Sequence, residues 1–285
     1  MDVVAFGEIL WDVIDGEAHI GGAPFNLAAH AVRCGLRAAA VSRVGDDALG
    51  RAALAKMARL KVDARWTGLD ASRQTGTVTV SLADGQPNYT IRENVAWDRI
   101  EVSEEALASL AVERPRAFCF GTLAQRGEVS RRTLAKLLEA FRDAVVFYDV
   151  NLRQHYWSAS LVDARLARAT LVKVNADEAR VLGGELFGGA CAPDAFGAGV
   201  LARHPAKAVI VTLGADGCLV YERGRAPVSC PGERVEVADA VGAGDAFSAA
   251  FLAAWLSGAT AVEAAAAGNA RGAWVAARRG AVPEE

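Results

Sequence analysis

Short apolar runs separated by amphipathic stretches set the strongest limit on how this chain can fold. Val3–Phe6, Ala38–Val44, Ala117–Phe120, Val145–Tyr148, Leu171–Val174 and Ala208–Thr212 are strand-length and dominated by apolar residues. A strand open to water on one face alternates apolar with polar, so these runs predict strands covered on both faces. Helical patterns lie between them. Gly21-Gly22-Ala23-Pro24 opens one that Gly35 ends, and others are predicted near Asp47–Leu60, Gly127–Phe141, Ser160–Ala169, Ala176–Leu182 and Pro193–Arg203. Cys218–Tyr221 and Pro227–Cys230 read as an antiparallel pair turning at Arg223-Gly224, and helices starting at Gly244 and Ala261 follow. The expected fold class is α/β, a mostly parallel sheet with helices on both faces.

Two segments break the pattern. Leu10–Ile20 is mixed, with a turn at Asp15-Gly16. Gly76–Ile91 alternates through Thr77, Val78, Thr79 and Val80, turns at Asp84-Gly85 and returns through Tyr89, Thr90 and Ile91. Both predict half-buried hairpins. The chain is therefore expected to form a single unit over residues 1–285, with a small β lid from about 10–20 and 76–92. Ligands of open parallel sheets bind at the carboxyl ends of the strands, and a β flap there would exclude water. Its exposed strand edges would also invite pairing with a second copy into a homodimer.

Asp239-Ala240-Val241-Gly242-Ala243-Gly244-Asp245-Ala246-Phe247 carries the clearest chemistry. A Gly turn here runs straight into an apolar helix. The first helical turn offers unpaired N–H groups and the positive end of the helix dipole. Gly242, Ala243 and Gly244 leave that backbone open to an anion. Asp245 at the same place is either an N-cap or a group with a task, such as taking a proton from a hydroxyl.

Composition narrows the function. A net charge of −3 over 285 residues gives no basic footprint, so no nucleic-acid partner is expected. The start of the chain lacks a basic region before an apolar run, and Ala246–Val262 is short for a membrane span, so neither a signal peptide nor a membrane partner is expected. Cys34, Cys119, Cys191, Cys218 and Cys230 include no CxxC pair, and reduced thiols in a cytoplasmic protein are expected. His19, His30, His155 and His204 show no zinc spacing. GxxxxGK[ST], GxGxxG and GxSxG are all missing. Any phosphate site must use another Gly-rich turn, and Gly242-Ala243-Gly244 is the best candidate.

The stretch Asp239–Asp245 resembles the C-terminal signature of the ribokinase-like (PfkB-type) carbohydrate kinases, and Gly21-Gly22-Ala23-Pro24-Phe25-Asn26-Leu27-Ala28 resembles their N-terminal Gly-Gly signature. Asp149-Val150-Asn151-Leu152-Arg153, Asn175-Ala176-Asp177-Glu178 and Val211-Thr212-Leu213-Gly214-Ala215-Asp216-Gly217 match in order between them. The resemblance spans nearly the whole chain and implies the ribokinase-like fold. It also implies ATP as phosphate donor, with Asp245 as general base and Gly242, Ala243 and Gly244 as the anion hole. Phosphoryl transfer needs such positioning and charge stabilisation. Asn175 and Glu178 correspond to a motif associated with Mg²⁺, held through water. Thr212, Gly214 and Gly217 correspond to the nucleotide-binding turn, and Asn269 would border the adenine. Asp12, Gly22 and Asn26 correspond to sugar-binding positions. Asp239 corresponds to a monovalent-cation loop of some members; the downstream Ala276–Gly280 fits it partly and an expected serine is absent, which leaves K⁺ open.

Asp149-Val150-Asn151-Leu152-Arg153, with Trp157 nearby, and Thr75-Gly76-Thr77 look most like fructokinases. Arg153 and Arg92 would reach a sugar oxygen, a carboxylate or the phosphate. A 2-keto-3-deoxygluconate kinase would want both as a cationic clamp. A nucleoside or aminoimidazole riboside kinase would want an aromatic surface, from Phe25 or Trp97. A non-catalytic sugar-binding regulator would be expected to lack Asp245 or the Gly turn, and both are present.

Overall fold

The computed structural model describes residues 1–14, 17–83, 86–188 and 193–284. In chain order these form β1 (Val3–Phe6), β2 (Leu10–Ile14), β3 (Glu17–Gly21), α1 (Ala23–Arg33), β4 (Ala38–Gly45), α2 (Ala48–Arg59), β5 (Thr67–Asp70), β6 (Gly76–Ala83) and β7 (Gln86–Ile91). They continue with α3 (Glu104–Val112), β8 (Ala117–Phe120), α4 (Glu128–Ala140), β9 (Val145–Asp149), α5 (Ala159–Leu166), β10 (Leu171–Asn175), α6 (Ala176–Phe187) and α7 (Pro193–Arg203). The chain closes with β11 (Ala208–Thr212), β12 (Cys218–Glu222), β13 (Val228–Cys230), α8 (Ala243–Leu256) and α9 (Ala261–Ala276).

The large sheet has the order β13-β12-β11-β10-β9-β8-β1-β4-β5. Every pairing from β5 to β11 is parallel, and β12 and β13 add antiparallel. The apolar runs are continuous because both faces are buried. In β1, Val4 and Phe6 join one core with α3 to α7, while Val3 and Ala5 join the other with α1, α2, α8 and α9. β1 lies between β4 and β8, so the chain winds outward on one side and then returns to the other. That is the topological switch point, where the carboxyl ends of parallel strands leave a crevice.

The smaller sheet, β3-β2-β6-β7, is built from the two segments expected to make the lid and is separate from the large one. Its two hairpins join through parallel β2 and β6, a pairing the sequence did not announce. The expected turns at Asp15-Gly16 and Asp84-Gly85 lie outside the described residues, as does Cys191. Among the described residues Cys34, Cys119, Cys218 and Cys230 form no disulfide. No helix among the described residues is long and apolar enough to cross a membrane.

Two elements were not anticipated. β5 is an edge strand reading Thr-Gly-Leu-Asp, with Leu69 49% exposed, so it carries no apolar run. α3 buries only Leu110 fully, so its periodicity is faint.

The lid is moored to the large sheet by Asp47. Its carboxylate accepts from Gly50 N at 2.7 Å, capping α2. It also accepts from Thr75 N at 2.8 Å and Thr75 Oγ1 at 2.7 Å, and Gly45 N donates to Thr75 Oγ1 at 2.9 Å. Gly76 then enters β6 against the Trp97 indole, where a Cβ would lie 2.2 Å from Nε1. Partial burial works to raise the Asp47 carboxyl, but the N–H groups of Thr75 and Gly50 outweigh it and hold the carboxyl below its usual range. Its contribution is thus present at neutral pH and is lost as acid protonates it. Asp47→Ala is expected to cost about 1–2 kcal/mol through the lost cap and lid bonds, seen as a lower denaturation midpoint at pH 7. The difference from wild type should shrink as the pH is lowered.

Candidate active site

The first turn of α8 forms the floor of the site. Gly242 is its N-cap at φ 79°, and a Cβ there would lie 2.5 Å from Ala281 O. Only glycine fits both the left-handed backbone and that approach. Ala243 N makes a long 3.3 Å bond to Ala240 O. By helix geometry the N–H groups of Gly244 and Asp245 have no acceptor within the helix. Asp239 shapes the approach: Oδ1 accepts from Val241 N at 3.0 Å and Oδ2 from Gly280 N at 2.9 Å. Asp239 therefore ties the incoming loop to the turn after α9.

Asp245 leans toward α1. Asn26 Nδ2 donates to its Oδ2 at 2.8 Å. Burial and the neighbouring Asp149 charge push the Asp245 carboxyl up to about 6, against the pull of Asn26, Lys173 and Arg153. A carboxyl so placed is ionised at neutral pH yet basic enough to accept a proton.

Beneath α8 lies a charged cluster that sequence reasoning did not assign. Lys173 Nζ bonds both Asp149 oxygens at 2.9 Å. Ser248 Oγ donates to Asp149 Oδ2 and is placed 2.9 Å from Gly244 O as well. Lys173 is 6% and Asp149 7% exposed, so the pair sits inside the protein. Burial works to lower the Lys173 ammonium, and Asp149 overcomes it and raises it. A Cβ on Gly244 would lie 3.5 Å from Nζ, so this positive charge borders the open first turn of α8. The signal was available: one lysine stands in the otherwise apolar strand Leu171-Val172-Lys173-Val174, and buried charges are rarely unpaired.

The groups expected to meet a sugar gather above. Asn26 is 4% exposed. Gly22 has φ 109°, and a Cβ there would lie 2.3 Å from Glu8 O. Burial raises the Asp12 carboxyl, opposed by His19 and Arg153. Arg153 acts electrostatically on Glu8, Asp12 and Asp245 alike, which places all four in one neighbourhood. Glu8 was not among the expected site residues. Arg92 directly follows β7 of the small sheet that carries Asp12; its N–H donates to Thr77 O at 3.0 Å and its carbonyl accepts Arg126 Nη2 at 2.5 Å, with the side chain exposed. Phe25 and Trp97 are both fully buried and present no open ring face.

On the other side of α8, Asn175 and Glu178 form a capping box opening α6. Asn175 Oδ1 accepts from Glu178 N and Glu178 Oε2 from Asn175 N, each at 2.9 Å. Glu178 Oε1 also accepts from Leu152 N at 2.7 Å. Each carboxylate oxygen keeps a further lone pair, which suits a cation held through water. Among the described residues no trio of acids, histidines or cysteines forms a direct metal cage.

Thr212 ends β11, its Oγ1 donating to Val174 O at 3.3 Å. Gly214 and Gly217 turn the chain with φ 61° and 92°, and a Cβ on Gly217 would lie 2.1 Å from Cys230 O. Asn269 donates to Cys230 O at 3.2 Å and Pro231 O at 3.1 Å, so its amide nitrogen fastens the end of β13 to α9. Beside them an open cavity of about 440 Å³ is lined by Val235, Glu236, Val237, Ala238 and Ala277. Val237 and Val241 are 60% and 52% exposed there and in the adjoining loop, and neither was expected from the sequence.

The chain matches the model of the pfkB family carbohydrate kinases over residues 2–285. It is 31% identical to fructokinase-1 of Oryza sativa subsp. japonica, over 99% of this chain and 93% of that one. It superposes on a fructokinase with bound ATP from Xylella fastidiosa with a TM-score of 0.88 at 23% identity, covering 99% of this chain and 94% of the other. It superposes on an aminoimidazole riboside kinase from Salmonella enterica with a TM-score of 0.83 at 25% identity, covering 99% and 95%. The match runs over nearly the whole chain, and a relative 31% identical covers 99% of it, so the chain belongs to the PfkB family of carbohydrate kinases.

Proposed function

We propose that this kinase phosphorylates fructose, with ATP as donor and Asp245 as general base. The observation that carries the reading is Asp245 itself, set at the open first turn of α8 and aimed by Asn26. Asp245 takes the proton from a sugar hydroxyl. That oxygen attacks the γ-phosphorus, the bond from phosphorus to the β–γ bridging oxygen breaks, and ADP leaves. The N–H groups of Gly244 and Asp245 face the equatorial oxygens, and the Gly242 turn keeps that backbone bare. Lys173 adds positive charge from below.

Asn175 and Glu178 would hold Mg²⁺ through its waters. Bound there, the ion would supply charge neutralisation on the phosphates. The cavity at Val235 and Val237 offers the adenine an apolar wall, and Thr212, Gly214 and Gly217 border the nucleotide. Asp239 would shape a K⁺ loop. The free edges of the lid would pair two copies, in the cytoplasm.

Fructose is favoured over the family's other substrates by likeness to proteins named fructokinase. Phe25 and Trp97 would offer a riboside no stacking face, because both are core residues. A coupled assay of ATP consumption with fructose, 2-keto-3-deoxygluconate, aminoimidazole riboside and ribose tests the substrate; preference for any but fructose overturns it.

Asp245→Asn should lower kcat by about 10²–10⁴-fold, the usual worth of a general base, while calorimetry still detects sugar binding. Near-native turnover would remove Asp245 from the mechanism. Because its carboxyl is raised to about 6, the base is lost as pH falls through that value. Below it, kcat/KM for the sugar should drop about tenfold per pH unit. A rate flat down to about pH 4.5, near the ordinary carboxyl range, would contradict the assignment.

A further inference from the structure

We propose that Glu8 is a substrate-recognition residue, one of whose carboxyl oxygens pairs with a hydroxyl of a neutral sugar and disfavours an anionic one. The inference rests on the kinase reading above and names a further determinant of its specificity.

Glu8 follows β1 by two residues, at the switch point where the carboxyl ends of the strands open. It is 4% exposed, and its Oε2 is buried without a hydrogen-bond partner on the chain. Asn26 Oδ1 is also buried and unpartnered, although Asn26 Nδ2 holds Asp245. Buried polar oxygens are seldom left unpaired in a folded protein. Two of them at the rim of one crevice are accounted for by a ligand that brings several hydroxyl groups. The residue is also fixed in place, since Gly22 packs its backbone directly on Glu8 O. Burial pushes the Glu8 carboxyl up to about 7, against the pull of its own N–H, Arg153 and Ala23 N. A hydroxyl both donates and accepts, so it pairs with this oxygen in either protonation state.

The selectivity follows from charge. The positive charge of Arg153 acts on Glu8, Asp12 and Asp245 alike. A neutral polyol adds hydrogen bonds without adding charge. A sugar carboxylate would enter beside three acidic groups, and like charges brought together in such a site are strongly disfavoured.

The test compares wild type with Glu8→Ala and Glu8→Gln. KM is measured for fructose and ATP, with turnover of 2-keto-3-deoxygluconate and thermal midpoints alongside. Glu8→Ala should raise the fructose KM about tenfold or more, the worth of a hydrogen bond to a charged group. Glu8→Gln should fall between the two. The ATP KM should stay put, and both variants should lose preference for the neutral sugar over the acid. If Glu8→Ala does not fold, the sugar preference of Glu8→Gln decides. An unchanged fructose KM and preference in the variants overturns the inference. So does a rise in both KM values together with a lower melting point in Glu8→Gln, which marks a purely structural role. A wild-type protein that consumes ATP with no sugar overturns the kinase reading instead.

Discussion

The Asp149–Lys173 ion pair is the interaction on which the rest of the site depends. Two charges buried side by side are stable only when each oxygen and proton is satisfied, and removing one partner of such a pair costs about 3–5 kcal/mol. Here both Asp149 oxygens face Lys173, and Ser248 joins Asp149 to Gly244. The pair therefore sets more than a local contact. It fixes α8 against the ends of β9 and β10, so its first turn meets the crevice at one height. It also sets the local potential: Asp149 makes Asp245 more basic while Lys173 opposes that shift.

Electrostatic balance is graded across the crevice. At the first turn of α8, backbone N–H groups and Lys173 present positive charge. Toward β2 and the start of α1, Glu8, Asp12 and Asp245 outnumber Arg153. Asp245 stands at the boundary, held by Asn26. The lid carries Asp12 on β2 and is moored through Asp47 and Thr75 to α2, so its position is tied to the large sheet rather than left to the hairpins alone.

Much of this was legible in the sequence, for physical reasons. Strands buried on both faces cannot hide their apolar content, so the central sheet could be read directly. β5 and α3 could not, because one is an exposed edge and the other buries a single large residue fully. Gly242 was legible since its backbone tolerates no side chain. Lys173 was visible as a misplaced charge, but its partner is a different strand, and pairing across strands has no sequence spacing. Asn269 illustrates the opposite limit. Its amide nitrogen serves the backbone of β13, a partner that side-chain patterns do not encode. The site above Gly22 was half legible: its glycines and Asn26 stood out, whereas Glu8 looked like an ordinary end of strand.

The hydrogen bond from Asn26 to Asp245 spans 219 residues of chain. Contacts of such separation are reached only after a large loss of chain freedom, and folds dominated by them form slowly. A partly folded form with its strands paired but α8 still undocked from α1 would hold a stable sheet and no aimed base. Recovery of activity on refolding would then report the docking of α8 on α1, a long-range closure, rather than growth of secondary structure.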